Sequence, residues 1–292
     1  MRIATRGSAL ALAQARQVAE MLGGAELVQV SSGGEVGDKA RFVRGVERAL
    51  LDGKAEIGVH SAKDLPAELT EGLAIGAVPP REDPADAWVG TGSSLDDVPE
   101  GARVGTASLR RRAQLLAIRP DLQVSELHGN VDTRLRKLAE GDWDAIVLAV
   151  AGLRRLRREE QISFSIPADS MTPAAGQGAL VLQVRVDDEA SAAAVGELGD
   201  IQALRAVTAE RAVVALLEAT CNSPLGVHAT VDVDSGRMRV EAFVGLPDGS
   251  EWLRDRVEGD SVEPALLGAE LAKRLLDTGA REILDHAEEM AA

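Results

Sequence analysis

Short runs of strand character alternate with helix-period segments through the first two thirds of this 292-residue chain, and that alternation limits the fold more than any single motif. Residues 2–5 read as a strand, and Ser8 then caps a helix in which Leu10, Ala13, Gln17 and Met21 recur at helical spacing. Further strands are expected at 26–30, 56–60 and 73–78, with a helix around 43–51. Beyond Pro79, Pro80 and Pro84 comes a second series, with strands near 87–89, 103–105, 122–127 and 145–150. Its helices start near Ser108, Val131 and Gly152. Alternation of this kind predicts α/β layers with mostly parallel sheets.

The two series resemble each other weakly: IATRGS at 3–8 and VGTAS at 104–108 both run strand, small polar turn, Ser-capped helix. Two similar domains would each direct a helix N-terminus at a shared cleft, a disposition that favours anions. A serine there is also simply a good cap. The segment 172–178, TPAAGQG, interrupts the pattern, and the strand expected at 179–186 could return to the first sheet. From about residue 200 the composition changes. A helix at 203–219 leads to Cys221, followed by antiparallel-type strands at 227–233, 238–246 and 251–258 and a helix at 264–276. Hairpin signals at Ser235-Gly236 and Asp248-Gly249 support the meander. The expected architecture is two α/β domains plus a small C-terminal α+β domain, divided as 1–81 with 176–198, then 82–175, then 199–292.

With 47 acidic against 32 basic side chains the formal charge is −15, which repels phosphate backbones and argues against a nucleic-acid partner. The absence of Tyr removes the usual stacking platform as well. Yet between residues 101 and 158 there are 12 Lys and Arg against 6 Asp and Glu, so a basic middle segment is averaged into an acidic envelope. Its arginines cluster at 110–112, 134–136 and 154–158. Cations in the first turn of a helix oppose its dipole, so Arg110, Arg111 and Arg112 suit a polyanionic ligand better than helix stabilisation. A solvated basic surface is the bland alternative.

One cysteine excludes an internal disulfide, and four scattered histidines give no metal-binding spacing, so no metal is expected. The apolar stretch 145–153 is too short for a bilayer, and Gln14 and Arg16 interrupt the apolar run at 8–13. A cytosolic protein without membrane contact is expected. A reaction centre is expected at VHSAKDLP, residues 59–66, where a buried strand ends in a polar turn. Asp64 beside Lys63 could be an ion pair only. As chemistry, its carboxylate could protonate a leaving amine or stabilise a cation, while Lys63 held a substrate carboxylate. Cys221 falls in a turn, where a covalent role becomes plausible.

At these residues the chain resembles the porphobilinogen deaminase (hydroxymethylbilane synthase) family. The ordered matches are RIATRGSALALAQA at 2–15, VHSAKDLP at 59–66, GTASLRRRAQL at 105–115 and GNVDTRL at 129–135. LAVAGLRRL at 148–156, AGQGA at 175–179, and Glu210-Arg211 followed by CNSPLG at 221–226 complete the set. The resemblance implies two domains like the lobes of periplasmic binding proteins, and a dipyrromethane cofactor held by a thioether to Cys221. It implies that four porphobilinogen molecules are joined head to tail with loss of ammonia, and that water then releases hydroxymethylbilane. Asp64 matches the aspartate that assists deamination and stabilises an azafulvenium-like cation. Cofactor carboxylates are assigned to Lys63, Ser108, Arg110, Arg111, Arg134 and Arg155, and substrate carboxylates to Arg6, Ser8 and Arg155. Lys39, Phe42, His128 and Asn130 match lid or secondary positions. A monomer acting on porphobilinogen is implied.

The chain departs from the family pattern in several places. The loop 31–42 is about eight residues shorter than usual, with Glu35 at a frequent lysine position. His128 replaces an arginine and would hold a carboxylate more weakly near pH 7. Ala219-Thr220 replaces a Gly-Gly-like pair, and Ser223 a branched residue, so a differently shaped cysteine loop is expected. Gly45 should weaken its helix by about 1 kcal/mol. A slow or inactive relative, and a two-lobed carboxylate-binding module without chemistry, are the alternatives these departures leave open.

Overall fold

Two five-stranded sheets and one three-stranded sheet organise the chain. The structure is a computed structural model that describes residues 1–31, 41–220 and 222–291, without the side chains of residues 41, 42 and 291. The expected features at Glu35, Lys39, Phe42 and Cys221 therefore lie outside the described residues or side chains.

The first series runs β1 (Arg2–Arg6), α1 (Ala9–Met21), β2 (Glu26–Val30), α2 (Arg41–Leu51), β3 (Ile57–Ser61) and β4 (Leu73–Ala77). The second runs β5 (Asp86–Gly90), β6 (Arg103–Gly105), α3 (Leu109–Ile118), β7 (Gln123–Ser125) and α4 (Val131–Ala139). It continues with β8 (Ala145–Ala149), α5 (Val150–Arg155) and β9 (Phe164–Ile166). Then come β10 (Leu180–Arg185), α6 (Glu189–Gly196) and α7 (Ile201–Leu216). The chain closes with β11 (Leu225–Asp232), β12 (Arg237–Gly245), β13 (Trp252–Asp260), α8 (Pro264–Asp277) and α9 (Ala280–Ala291).

The sheet orders β2-β1-β3-β10-β4 and β7-β6-β8-β5-β9 repeat one plan. In each, the fourth strand alone runs against its neighbours: β10 opposes β3 and β4, and β5 opposes β8 and β9. Both of these strands follow a crossover between sheets, near residues 79–85 and 167–179. β10 returns the chain to the first sheet between β3 and β4. The central strands β3, β5, β8 and β10 are buried on both faces and read as near-continuous apolar runs. The C-terminal sheet β11-β12-β13 is wholly antiparallel and shares a core with α7, α8 and α9 built on Val213, Val227, Val240, Leu271 and Leu284.

Three elements carry too little pattern to be expected from sequence. β9 has three residues, too few to alternate, and α6 is half alanine, with its start fixed by Asp188 accepting from the Ser191 N–H at 3.0 Å. α9 follows Gly279, whose φ of +101° ends the preceding segment. Gly45 proves to be a packing requirement: a Cβ there would stand 2.5 Å from the Ser31 carbonyl oxygen. The cysteine-loop expectation also shifts. The left-handed residue after α7 is Glu218, at φ +48°, and neither Ala219 nor Thr220 has positive φ. The Ala219 N–H donates to the Val214 carbonyl at 3.0 Å, which closes the helix in a Schellman-type end.

Candidate functional site

β3 ends at Ser61 and tightens into one turn of 3-10 helix, Ala62–Asp64, which presents Lys63 and Asp64 half-buried at the C-terminal edge of the first sheet. The Ala62 N–H donates to the Ala179 carbonyl at 3.0 Å, tying the turn to the start of β10. Gly176, at φ +72°, backs onto it so closely that a Cβ would lie 2.7 Å from the Ala62 Cβ and 2.9 Å from the Lys63 nitrogen. The first glycine of AGQGA is thus required by contact with the Lys63–Asp64 turn, and the second, Gly178, by the Glu82 carbonyl 2.2 Å from where its Cβ would stand.

Lys63 opens a polar chain that crosses between the sheets. Its Nζ donates to Gln177 Oε1 at 3.4 Å, and Gln177 Nε2 donates to Asp86 Oδ1 at 2.9 Å and to the Pro84 carbonyl at 2.7 Å. Asp86, fully buried at the start of β5, accepts from Arg110 at 2.7 and 3.2 Å and from Arg111 at 2.6 and 2.9 Å. Arg110 also reaches the Thr172 carbonyl and Arg111 the Val147 carbonyl, each at 2.8 Å. Arg110 and Arg111 are only 4 % and 5 % exposed, so most of their donors are committed inside the protein. Burial alone would push the Asp86 carboxyl up, but the two guanidiniums outweigh it and hold it well below the usual carboxylate range. Burial pulls the Lys63 ammonium down to about 8; Arg111 and Arg110 reinforce this, and Asp64 and Asp86 oppose it.

Arg134 and Arg155 stand differently. Arg134 donates from Nε to the Gly129 carbonyl at 2.8 Å, and burial, with Arg111 nearby, lowers it to about 10. Arg155 donates to the Gly178 carbonyl at 2.7 Å, its Nε is buried with no partner, and burial lowers its pKa against an opposing pull from Glu82. Among the described residues neither forms an ion pair, whereas Arg154 alongside engages Glu82 at 2.7 Å and Asp83 at 3.4 Å. Two partly buried guanidiniums thus have, among the described residues, no carboxylate in contact, a state that an added anion relieves.

The other expected positions sort by role. Ser8, Ser108 and Asn130 are helix caps, accepting from the N–H groups of Ala11 at 3.3 Å, Arg111 at 3.4 Å and Thr133 at 2.9 Å. Arg6 ends β1 and acts electrostatically on buried His60, as does Asp64. His128 is exposed and pairs with Glu126 at 2.8 Å. The structure therefore brings Lys63, Asp64, Arg110, Arg111 and Arg134 into one electrostatic group, reached from the first sheet and the second. Asp64 is linked through His60 to Arg6. On either side of Cys221, the Thr220 N–H donates to Ser223 Oγ at 2.9 Å and the Asn222 N–H to Thr220 Oγ1 at 3.2 Å.

Sequence reasoning missed Asp86 and Gln177. An acid at the head of a buried strand, in a domain rich in arginines, was the available signal for the first. It also missed the network behind His60, where Nε2 meets Gln183 Oε1 at 2.9 Å and Gln183 Nε2 donates to Glu47 at 3.0 Å. Burial lowers His60 to about 4 against the pull of Glu47, so the ring is neutral at pH 7. A 560 Å³ depression lined by Arg16, Glu20 and Leu27 lies at the far end of α1 and contains none of these residues. Among the described residues, no helix is long and apolar enough to cross a membrane.

Comparison with known proteins bears on this geometry. Residues 1–193 match the family model described as porphobilinogen deaminase, dipyromethane cofactor binding domain, and residues 204–277 match porphobilinogen deaminase, C-terminal domain. The chain is 42 % identical to the porphobilinogen deaminase of Brevibacillus brevis, covering 97 % of this chain and 96 % of that one. It is 44 % identical to that of Syntrophus aciditrophicus, covering 99 % of each. A solved TRAP periplasmic solute binding protein from Desulfovibrio salexigens aligns over 70 % of this chain and 73 % of its own at 12 % identity and a TM-score of 0.42, too distant to carry an argument. Full-length similarity at this level, with both family models in order, means that the chain belongs to the porphobilinogen deaminase family, whose members are transferases acting on porphobilinogen.

Proposed function

We propose that this chain joins four porphobilinogen molecules head to tail with release of ammonia and then frees the linear tetrapyrrole hydroxymethylbilane by hydrolysis. The reading places a dipyrromethane on Cys221 through a thioether and its carboxylates on Lys63, Ser108, Arg110, Arg111, Arg134 and Arg155. When bound, that group supplies the pyrrole terminus to which new rings are added. The observation that carries the reading is the pair Arg134 and Arg155, partly buried and, among the described residues, without an acid. Guanidiniums in that condition fit a ligand bearing many carboxylates, each charge-assisted bond contributing roughly 1.5–3 kcal/mol.

The chain's own groups divide the work. Arg6, Ser8 and Arg155 hold the incoming porphobilinogen by its acetate and propionate. Asp64 assists departure of the amine as ammonia and stabilises the positive charge left on the ring, on a turn fixed at its start by the Ala179 carbonyl. Lys63 keeps a substrate or cofactor carboxylate while protonated. Arg110 and Arg111, largely committed to Asp86, contribute positive field and whatever donors Asp86 leaves. Lys39, Phe42, Asn130 and His128 are secondary, and His128 is already turned toward Glu126. The domain boundaries that go with this reading are 1–81 with 176–198, 82–175, and 199–292, supported by β10 lying in the first sheet. A cytosolic monomer without nucleic-acid or membrane partners completes it.

Steady-state assay of porphobilinogen consumption, ammonia release and hydroxymethylbilane formation tests the reading. Asp64→Asn should retain the cofactor mass and porphobilinogen binding while kcat falls about 10²-fold or more. Wild-type turnover in Asp64→Asn would remove that carboxylate from the mechanism. Absence of tetrapyrrole from cofactor-bearing wild-type protein would remove the activity.

A further inference from the structure

Arg211 lies on α7, next to Glu210, and reaches out of the C-terminal domain into the first. Its Nη1 donates to the Leu65 carbonyl at 3.3 Å, and its Nη2 to the carbonyls of Pro66 and Ala67, each at 2.8 Å. These are the three residues that follow Asp64. Burial lowers the pKa of this guanidinium, and among the described residues it forms no ion pair. Glu210 takes the opposite arrangement: fully buried, it accepts from Arg81 at 2.6 Å, from the Gly176 N–H at 2.6 Å and from the Ala229 N–H at 2.8 Å. Interdomain adhesion is therefore already provided by a buried ion pair one residue away. A partly buried cation whose hydrogen bonds among the described residues all go to backbone carbonyls adds direction, because its planar fork fixes how three consecutive peptide groups point.

We propose that Arg211 is a positioning residue for Asp64, holding the exit of the Ala62–Asp64 turn while Glu210, through Gly176, backs its entry. The turn's own closure is a single bond, the Leu65 N–H to the Ala62 carbonyl at 3.2 Å, and short 3-10 turns have poor intrinsic stability. With Ala62 tied to Ala179 and the 65–67 carbonyls tied to Arg211, the carboxylate between them is held from both sides. α7 ends at Leu216, and the chain then leads directly to Cys221. One helix therefore grips the turn bearing the acid and precedes, by a few residues in sequence, the cysteine of the proposed anchor. A misplacement on the order of 1 Å at a reacting group costs about 10²-fold in rate, which is the effect such a grip prevents.

The inference rests on the proposed role of Asp64, and its test separates the two. Arg211→Gln and Arg211→Lys are compared with wild type by intact mass, steady-state kinetics and hydrogen exchange of the peptide spanning 59–68. Arg211→Gln is expected to keep the cofactor mass, hold KM within about twofold and lose kcat by about tenfold to a hundredfold. Exchange at 64–68 should become faster in the same variant. Arg211→Lys, which restores some donors without the fork, should fall between; it carries the test alone if the glutamine variant fails to fold. Unchanged kcat, or unchanged exchange at 64–68, would overturn the proposal. So would a kcat loss matched in both variants by equal loss of cofactor mass, since that is mere structural damage. If wild type itself makes no tetrapyrrole, the role of Asp64 fails, while the exchange data still report whether Arg211 holds the turn.

Discussion

The middle segment of the chain contains two groups of arginines that look alike in the sequence and differ in the fold. Arg110 and Arg111 converge on Asp86, a full negative charge at zero exposure, and spend most of their donors on it and on backbone carbonyls. Arg134 and Arg155 are only partly buried, and each has one backbone carbonyl and no ion pair among the described residues. The first group shares one buried carboxylate in a network that joins β5, α3 and the second crossover. The second is left short of negative charge, which in a folded chain points to a ligand. These cations thus separate into architecture and recognition by whether the protein supplies its own anion.

The largest expected effect breaks the Asp86 network. Asp86→Asn strands two buried guanidiniums and should destabilise by about 3–5 kcal/mol, read as a lower urea midpoint. An unchanged midpoint would dissolve the distinction. Arg134→Gln or Arg155→Gln should instead leave thermal stability equal or slightly higher, since a partly buried unpaired charge is removed. KM for porphobilinogen, or the extent of cofactor attachment, should worsen about 10- to 100-fold, the loss of one or more charge-assisted bonds. If these variants melt as early as Asp86→Asn, the arginines are structural after all.

Two titrations sharpen the same contrast. His60, neutral and enclosed with Gln183 and Glu47, belongs to the architecture. Its folded value of about 4 lies below the ordinary 6.5, so the unfolded chain binds the extra proton between these values. Stability is then complete above about pH 6.5 and falls as the pH drops toward 4, by about 2 kcal/mol at pH 5. His60→Gln should flatten that slope in unfolding titrations, and an unchanged slope would assign it elsewhere. Lys63, at about 8, is the proposed contact for a ligand carboxylate. A bound carboxylate favours its ammonium, so binding should take up a proton near pH 8–9 and KM should rise several-fold from pH 7 to 9. Lys63→Arg should remove that rise, and a rise that persists would exclude Lys63. Because the folded value lies below 10.5, the chain without ligand should gain stability, not lose it, as pH climbs from 8 toward 10.5.

Much of this arrangement was legible in the residues. The alternation located β1 to β8 within a residue or two, and the shift near residue 200 marked the antiparallel domain. Position and chemistry mark Lys63, Asp64 and Cys221 in the sequence itself. Local pattern could not tell Arg111 from Arg134: both sit in basic, helix-forming segments, and the difference is an aspartate 25 residues before one of them. Gly45 read as a helix defect because the approach of the Ser31 carbonyl is a tertiary fact. Gln177 and Arg211 were hidden for a related reason, since their roles depend on partners across domain boundaries. The repeated strand order, with one reversed strand in fourth place, likewise follows from two crossovers that sequence period cannot register.

The central claim is that Arg134 and Arg155 await the carboxylates of a group anchored at Cys221. Intact-protein mass spectrometry of the freshly purified, folded chain tests it most directly. A mass excess of one dipyrromethane, lost in Cys221→Ser, is the expected result. A bare Cys221 on well-folded protein would contradict it.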